Sequence, residues 1–275
     1  MRSPLSNRSR YVVICVLTSL TVCSSASAEL VCHWPLDEDF ANLEDPNFDG
    51  YLDARAIVDF TEVLPNEDGT GPLQEFAAQF TGAGSFVQTD YPGIGGNQAR
   101  TVTAWIKTTA IGTNDILGYG VPTNSLKWHF RLNPTAANGV LGAIRTEYQG
   151  GQNVGTTAIN DGRWHHVAAV FPEGATIGAD ILHYVDGVLE GRTGNGALVV
   201  TTNIDDPAYT LTIGLSRQSA TSLRWFNGQI ADVRIFDHGL SPQNIFEVMN
   251  DEDLTDPVPC DDLSLTCQTV EDENR

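Results

Sequence analysis

Apolar and polar residues alternate with a period of two in short stretches along most of this chain. In TVTAWIKT (101–108), Val102, Ala104 and Ile106 fall on one side, and Thr101, Thr103, Trp105 and Lys107 on the other. Such alternation sends successive side chains to opposite faces of a strand. LKWHFRLN (126–133) sets Trp128, Phe130 and Leu132 against Lys127, His129 and Arg131. WHHVAAVF (164–171) is apolar on both sides, the pattern of a central strand. ILHYVDGVLEG (181–191) reads as two strands joined at Asp186-Gly187, a strong hairpin signal. YTLTIGL (209–215) and GQIADVRIFD (228–237) add further strands. Helical signals are confined to one place, where Ser241 can cap a helix that begins at Pro242 and runs through QNIFEVM. Residues 44–72 are rich in turn formers and read as a long connection. The pattern predicts an all-β protein, a two-sheet antiparallel jelly-roll sandwich with one short C-terminal helix.

The ends of the chain follow other patterns. Arg2, Arg8 and Arg10 precede an apolar run at 11–23, and Ala26 and Ala28 stand at the small-residue positions of a cleavage site. Residues 1–28 read as a cleaved signal peptide, the apolar run being too short for a bilayer core of about 30 Å. The expected destination is secreted, periplasmic or cell surface. Residues 29–250 then form the domain, and 251–275 an acidic tail. The stretch from Asn250 to the end holds nine acids and one arginine. The full chain carries a formal charge of −20, which becomes −23 once the three arginines of residues 1–28 are gone. That balance argues against nucleic acid or anionic lipid as partner. No later segment is apolar for long enough to span a membrane. Cys32, Cys260 and Cys267 remain after cleavage, in an oxidising compartment. Cys32 shares the apolar face of Trp34 and Leu36, so it is expected to be buried. The expected disulfide is Cys260–Cys267.

HWPLDE (33–38), FAAQFTGAGSFVQT (76–89), RTVTAWIKT (100–108), DGRWHHVAAVF (161–171), LHYVDGVLEG (182–191) and FNGQIADVRIFDHGLSPQNI (226–245) follow one another along the chain. Their order and spacing resemble the laminin G-like jelly-roll family of the concanavalin A-like lectin and glucanase superfamily, over about residues 30–250. The resemblance implies two curved stacked sheets, paired N- and C-terminal strands, and frequent carbohydrate or protein binding. It does not fix a function, because the fold carries lectins, adhesion modules and hydrolases. His165 and His166 fall in one of these blocks. They diverge on a strand and read as framework, each satisfied by a partner. Trp34, Trp105, Trp128 and Trp164 read as core for the same reason.

The glucanases of that superfamily carry Glu-x-Asp-x-x-Glu along one strand, and no such run is present here. Asp232 and Arg234 share a strand face as an ion pair would. There is no Gly-x-Ser-x-Gly elbow, phosphate loop or His-Glu-x-x-His. A calcium ion is a candidate, because DPNFDGYLD places Asp45, Asn47, Asp49 and Asp53 at oxygen-ligand spacing, with Asp37 and Asp39 nearby. The loop lacks the bidentate Glu such a site uses, having Ala56 at that position. Sugar recognition needs aromatic platforms and polar groups. Trp225 is the candidate platform, and Lys127, His129 and Arg131 are the candidate basic cluster for an acidic glycan. The reading that follows is a secreted, non-catalytic recognition module for an extracellular carbohydrate. The alternatives are a structural or adhesive surface protein that binds another protein, and a divergent glycan-active enzyme.

Overall fold

A computed structural model describes residues 11–15, 28–54, 56–148, 150–219, 221–254 and 267–271. The chain divides into two compact units, one of residues 28–255 and one of residues 1–27 with 256–275. In the smaller unit Tyr11–Cys15 pairs antiparallel with Cys267–Glu271.

The larger unit is a sandwich of antiparallel sheets. A six-stranded sheet runs in the order Gln152–Ala158, Ala143–Glu147, Lys127–Leu132, Asn114–Gly120, Thr212–Ile213, Val87–Gln88. The facing eight-stranded sheet runs Val188–Leu189, Leu182–Val185, Trp164–Phe171, Arg100–Lys107, Asn227–Phe236, Phe76–Thr81, Asp59–Glu62. Its remaining strand, Leu30–Trp34, pairs antiparallel with Asn227–Phe236, so the first and last strands of the unit are partners. Phe80, Val102, Ile106, Leu117, Trp128, Phe130, Val167 and Phe171 fill the space between the sheets. Burial of such side chains contributes roughly 1.5–3 kcal/mol each.

Several local signals act as expected. Asp186 and Gly187 take φ of 51° and 77°, as a two-residue hairpin that matches strand twist requires. The Ser241 hydroxyl accepts from the amide of Asn244 at 3.1 Å and caps the helix Pro242–Met249. Ile245 and Val248 of that helix pack on the outer face of the eight-stranded sheet, against Ala168, Val170 and Phe236. The connection at 44–72 contains a strand the sequence reading did not assign, Asp59–Glu62, paired with Phe76–Thr81. The stretch 209–215 does not form one strand. It breaks at Gly214, where φ is 78° and a Cβ would meet the Phe80 ring at 2.4 Å. Beyond that break, Leu215–Arg217 and Leu223–Trp225 form a separate two-stranded hairpin.

Candidate functional site

Lys127, His129 and Arg131 lie on the side of their strand away from the core, as the alternation requires, yet they are 0, 1 and 0 % exposed. The candidate basic cluster for an acidic glycan is therefore corrected: it is a buried charge network. Arg131 stands opposite Asp115 on one neighbouring strand and Arg145 on the other, and His129 stands opposite Glu147. The Glu147 carboxylate accepts from Lys127 Nζ at 3.0 Å, from Arg131 Nη1 at 3.0 Å and from Arg145 Nη2 at 2.6 Å. Arg131 Nε lies 3.4 Å from Asp115. The hairpin 215–225 supplies polar contacts to this face: Ser216 donates to Asp115 at 2.7 Å, and the Gln218 amide oxygen accepts from Lys127 at 2.6 Å. Gln218 Nε2 sits 3.0 Å from His129 Nδ1.

Burial and charge set the protonation here. Burial raises the Asp115 carboxyl, with Arg131 opposing. Burial would also raise Glu147, but Lys127, Arg131 and Arg145 more than offset it and hold it below the usual carboxylate range. Burial, with the neighbouring cations, keeps His129 well below an ordinary histidine. Two acids with opposed shifts resemble a glycosidase pair. They are closed off, however, each engaged in ion pairs and almost without exposure.

Trp225 is half-buried and packs at 5.8 Å on the Phe86 ring. It does not line the large cleft described below. Around the proposed calcium loop, Asp45 accepts from the Asn47 amide at 2.9 Å and Asp49 from the Asn42 amide at 2.8 Å. Asp37 accepts from the Phe76 amide at 2.7 Å and Asp39 from the Ala41 amide at 3.0 Å. Asp39, Asp45 and Asp49 thus serve the turns of their own loop, while Asp37 holds the start of the strand Phe76–Thr81. Among the described residues no three His, Cys, Asp or Glu side chains form a group that could hold a metal ion. Cys32 is buried and unbridged, its thiol pushed up to about 12 by burial. Cys260 lies outside the described residues, so its pairing with Cys267 stays a proposal for peptide mapping without reduction.

The adjacent histidines diverge as expected, with different fates. His165 Nδ1 meets Asp186 at 2.8 Å and Nε2 meets Asp161 at 3.2 Å. Burial would lower its pKa, but the two carboxylates raise it overall. His166 is fully buried edge-on to Trp105 at 5.4 Å, and neither ring nitrogen has a hydrogen-bond partner. The expectation that each histidine is satisfied is thus corrected for His166. Burial lowers its pKa to about 4.

An open cleft lies on the outer face of the eight-stranded sheet. Trp105 and Trp164 point away from the main core and form a separate cluster with Val63, Ala77 and Ala231. Above them opens a cleft of about 620 Å³. One wall is the loop 66–71, which Asn66 ties down: its side chain accepts from the Trp164 amide at 2.9 Å and donates to the Trp164 carbonyl at 2.9 Å. Arg163 pairs with Asp68 across that wall. Thr70, with Arg163, holds the Asp68 carboxyl at about 2. Met249 and Asn250 at the helix end also line it, as do His165, Asp161 and Asp186. The indoles are 5 and 1 % exposed, so they form a floor rather than a stacking platform. Trp164 Nε1 has no partner. None of these cleft residues stood out as a site in the sequence. The loop residues stood in the presumed connection, in NEDGTG (66–71), and the floor in blocks read as framework. The Asx and glycine cluster was the available signal, and it signals only a turn.

A laminin G family model, described as the concanavalin A-like lectin/glucanases superfamily, matches residues 81–246. A search of curated proteins finds no match. Among solved structures, domain 4 of AbnA, a GH43 extracellular arabinanase from Geobacillus stearothermophilus in complex with arabinotriose, is similar at 21 % identity and a TM-score of 0.54. That likeness covers 81 % of this chain and 98 % of that one. Trypanosoma rangeli sialidase in complex with 2,3-difluorosialic acid is similar at 15 % identity and a TM-score of 0.52, over 81 % of this chain. The binding domain of Paraclostridial Mosquitocidal Protein 1 is similar at 10 % identity and 0.53, again over 81 % of this chain. This chain spans 33 % of the sialidase and 52 % of the toxin domain's chain. At these identities the likeness is one of fold.

Proposed function

Since the chain belongs to the concanavalin A-like lectin/glucanases superfamily, we propose that it is a secreted, non-catalytic module that binds an extracellular carbohydrate in the cleft over Trp105 and Trp164. One observation carries the reading. The open cavity of about 620 Å³ is lined by hydroxyl, amide and paired charged groups, and its carboxylates Asp68, Asp161 and Asp186 are each engaged by Arg163 or His165. Pockets of this size suit small ligands. Glycosidic cleavage needs two carboxylates free to act on the scissile bond. The cleft residues replace Trp225, Lys127, His129 and Arg131 as the recognition set.

The test is a glycan array followed by titration, with arabino-oligosaccharides as first probes because the similar arabinanase domain was solved with arabinotriose. The expected affinity is micromolar to millimolar, about −8 to −4 kcal/mol. Arg163→Ala should weaken binding by about tenfold, or 1.4 kcal/mol, with the fold intact. Reducing ends that accumulate with a polymer would replace this reading by an enzymatic one. Binding that survives every cleft variant would move the site elsewhere.

A calcium ion held by Asp45, Asn47, Asp49 and Asp53 is a separate proposal. Its support is the oxygen-ligand spacing, and its carboxylates would have to bind the ion beyond the amides they already accept. A bound ion at a hundredfold excess over Kd would add about 2.7 kcal/mol. A chelator-induced drop in melting temperature that Asp49→Ala abolishes would support it, and an unchanged curve would remove it.

A further inference from the structure

A second cleft of about 260 Å³ opens on the same outer face. It shares Leu73, Trp105 and Met249 with the first, so these three residues form a saddle between two depressions. Leu73 is 76 % exposed there, an apolar lip at the junction. Beyond the saddle lie Leu43, which is 62 % exposed, and a charged network. His33 Nε2 meets Asp232 at 2.7 Å, and Arg234 bridges Asp232, at 2.8 Å, and Asp251.

The charges across both clefts follow one rule. In the first, Arg163 pairs with Asp68, and His165 with Asp161 and Asp186. In the second, His33 and Arg234 pair with Asp232, and Arg234 with Asp251. Every charged lining residue has an opposite partner, and the carboxylates outnumber the guanidinium groups. Among the residues that line the two clefts, there are many hydrogen-bonding groups and no unpaired cation; Lys107, beside them, is engaged with the Trp164 ring at 5.9 Å. An anionic ligand gains little attraction there, while hydroxyl groups can join the edges of the ion pairs.

The place in the fold narrows the occupant further. The floor belongs to Arg100–Lys107 and Trp164–Phe171, which have neighbours on both sides. A peptide strand therefore finds no free edge to extend. The lip of Leu73, Met249 and Leu43 is too small and too interrupted by charge for an amphipathic helix. A chain with apolar patches and many hydroxyls fits both.

We propose that the two clefts form one track for a linear, neutral oligosaccharide, bound along its length and crossing the Leu73–Met249 saddle. The proposal rests on the carbohydrate reading of the first cleft and adds the class of ligand and the mode of binding. The test is calorimetric titration of the intact protein with neutral arabino- and cello-oligosaccharides, from disaccharide to hexasaccharide, beside oligogalacturonates of matched length. Affinity should rise about fivefold or more between the shortest and longest neutral chains, roughly 1 kcal/mol. The uronates should bind more weakly at every length. Leu43→Glu, an exposed change in the second cleft, should lower the affinity of the longest chains and so flatten the length dependence. Neutral binding without length dependence, or a Leu43→Glu variant that keeps it, overturns the track while leaving the first-cleft reading intact. Stronger binding of uronates overturns the charge argument. Failure of all neutral chains to bind, in a protein with an unchanged melting curve, removes the carbohydrate reading itself.

Discussion

The imidazole of His166 is fully buried with neither nitrogen bonded, beside His165, which sits between two carboxylates. Their responses to pH have opposite sign. An unfolded histidine takes up a proton near pH 6.5, but native His166 does so only near 4. Between those values the unfolded state binds more protons, so stability falls as the pH drops. The loss from this one group approaches about 3 kcal/mol below pH 4. His165 has a raised native pKa, so its contribution is complete below pH 6.5 and fades as pH rises through the native value. We expect His166→Phe, which keeps an aromatic ring beside Trp105 and removes two unsatisfied atoms, to flatten the acid limb. Chemical unfolding at pH 4, 5, 6 and 7 measures it; an unchanged acid limb assigns the effect to other groups. Lys127, His129 and Arg131 make a related point about legibility. Alternation placed them correctly on the face away from the core, but solvation depends on what covers that face, and the covering hairpin is distant in sequence. Glu147→Gln should therefore cost about 3–5 kcal/mol by leaving three buried cations short of a partner. It should leave glycan affinity unchanged at temperatures where the variant is folded. A loss of binding in a fully folded variant would bring this network into the site.

At the scale of elements, strands with strong alternation or continuous apolarity could be read directly. Trp164–Phe171 has the bounds its sequence predicts, and Lys127–Leu132 differs only by a residue at each end. Asp59–Glu62 escaped notice because it is short, carries acids at both ends and is half-exposed at the sheet edge. The hairpin 215–225 escaped because Gly214 breaks an alternation that otherwise runs on, and the reason is tertiary, the approach of Phe80. The cleft wall at 66–71 escaped for a similar reason. Its tether is one asparagine bonded to the backbone of a strand about a hundred positions away, which no local pattern reports. Asn66→Ala should release that wall. The expected cost is about 1–3 kcal/mol, from two lost bonds and an exposed strand amide. Glycan affinity should fall more than Trp225→Ala lowers it, because Trp225 packs on Phe86 away from the cleft. Equal losses in the two variants would contradict the placement of the site.

At the scale of the molecule, the charge of −20 sets the last expectation. A chain with that excess repels itself, and the repulsion acts between exposed carboxylates over distances comparable to the Debye length, about 10 Å at 0.1 M salt. Salt also weakens exposed attractive pairs such as Arg163–Asp68, but such pairs contribute only about 0–1 kcal/mol. The buried network around Glu147 is screened much less, since solvent ions do not enter it. Repulsion should therefore be the larger salt-sensitive quantity. Raising sodium chloride from about 0.02 to 0.5 M should stabilise the fold by roughly 1 kcal/mol, or about 2–4 °C in melting temperature. A neutral ligand lacks a charge to be screened, so its affinity should be the same at both concentrations. The two measurements separate the molecule's overall field from the chemistry of its cleft. A melting temperature that falls with salt would mean that exposed ion pairs outweigh self-repulsion. A glycan affinity that falls with salt would mean that the ligand is charged and that the paired groups of the cleft act as separate ions.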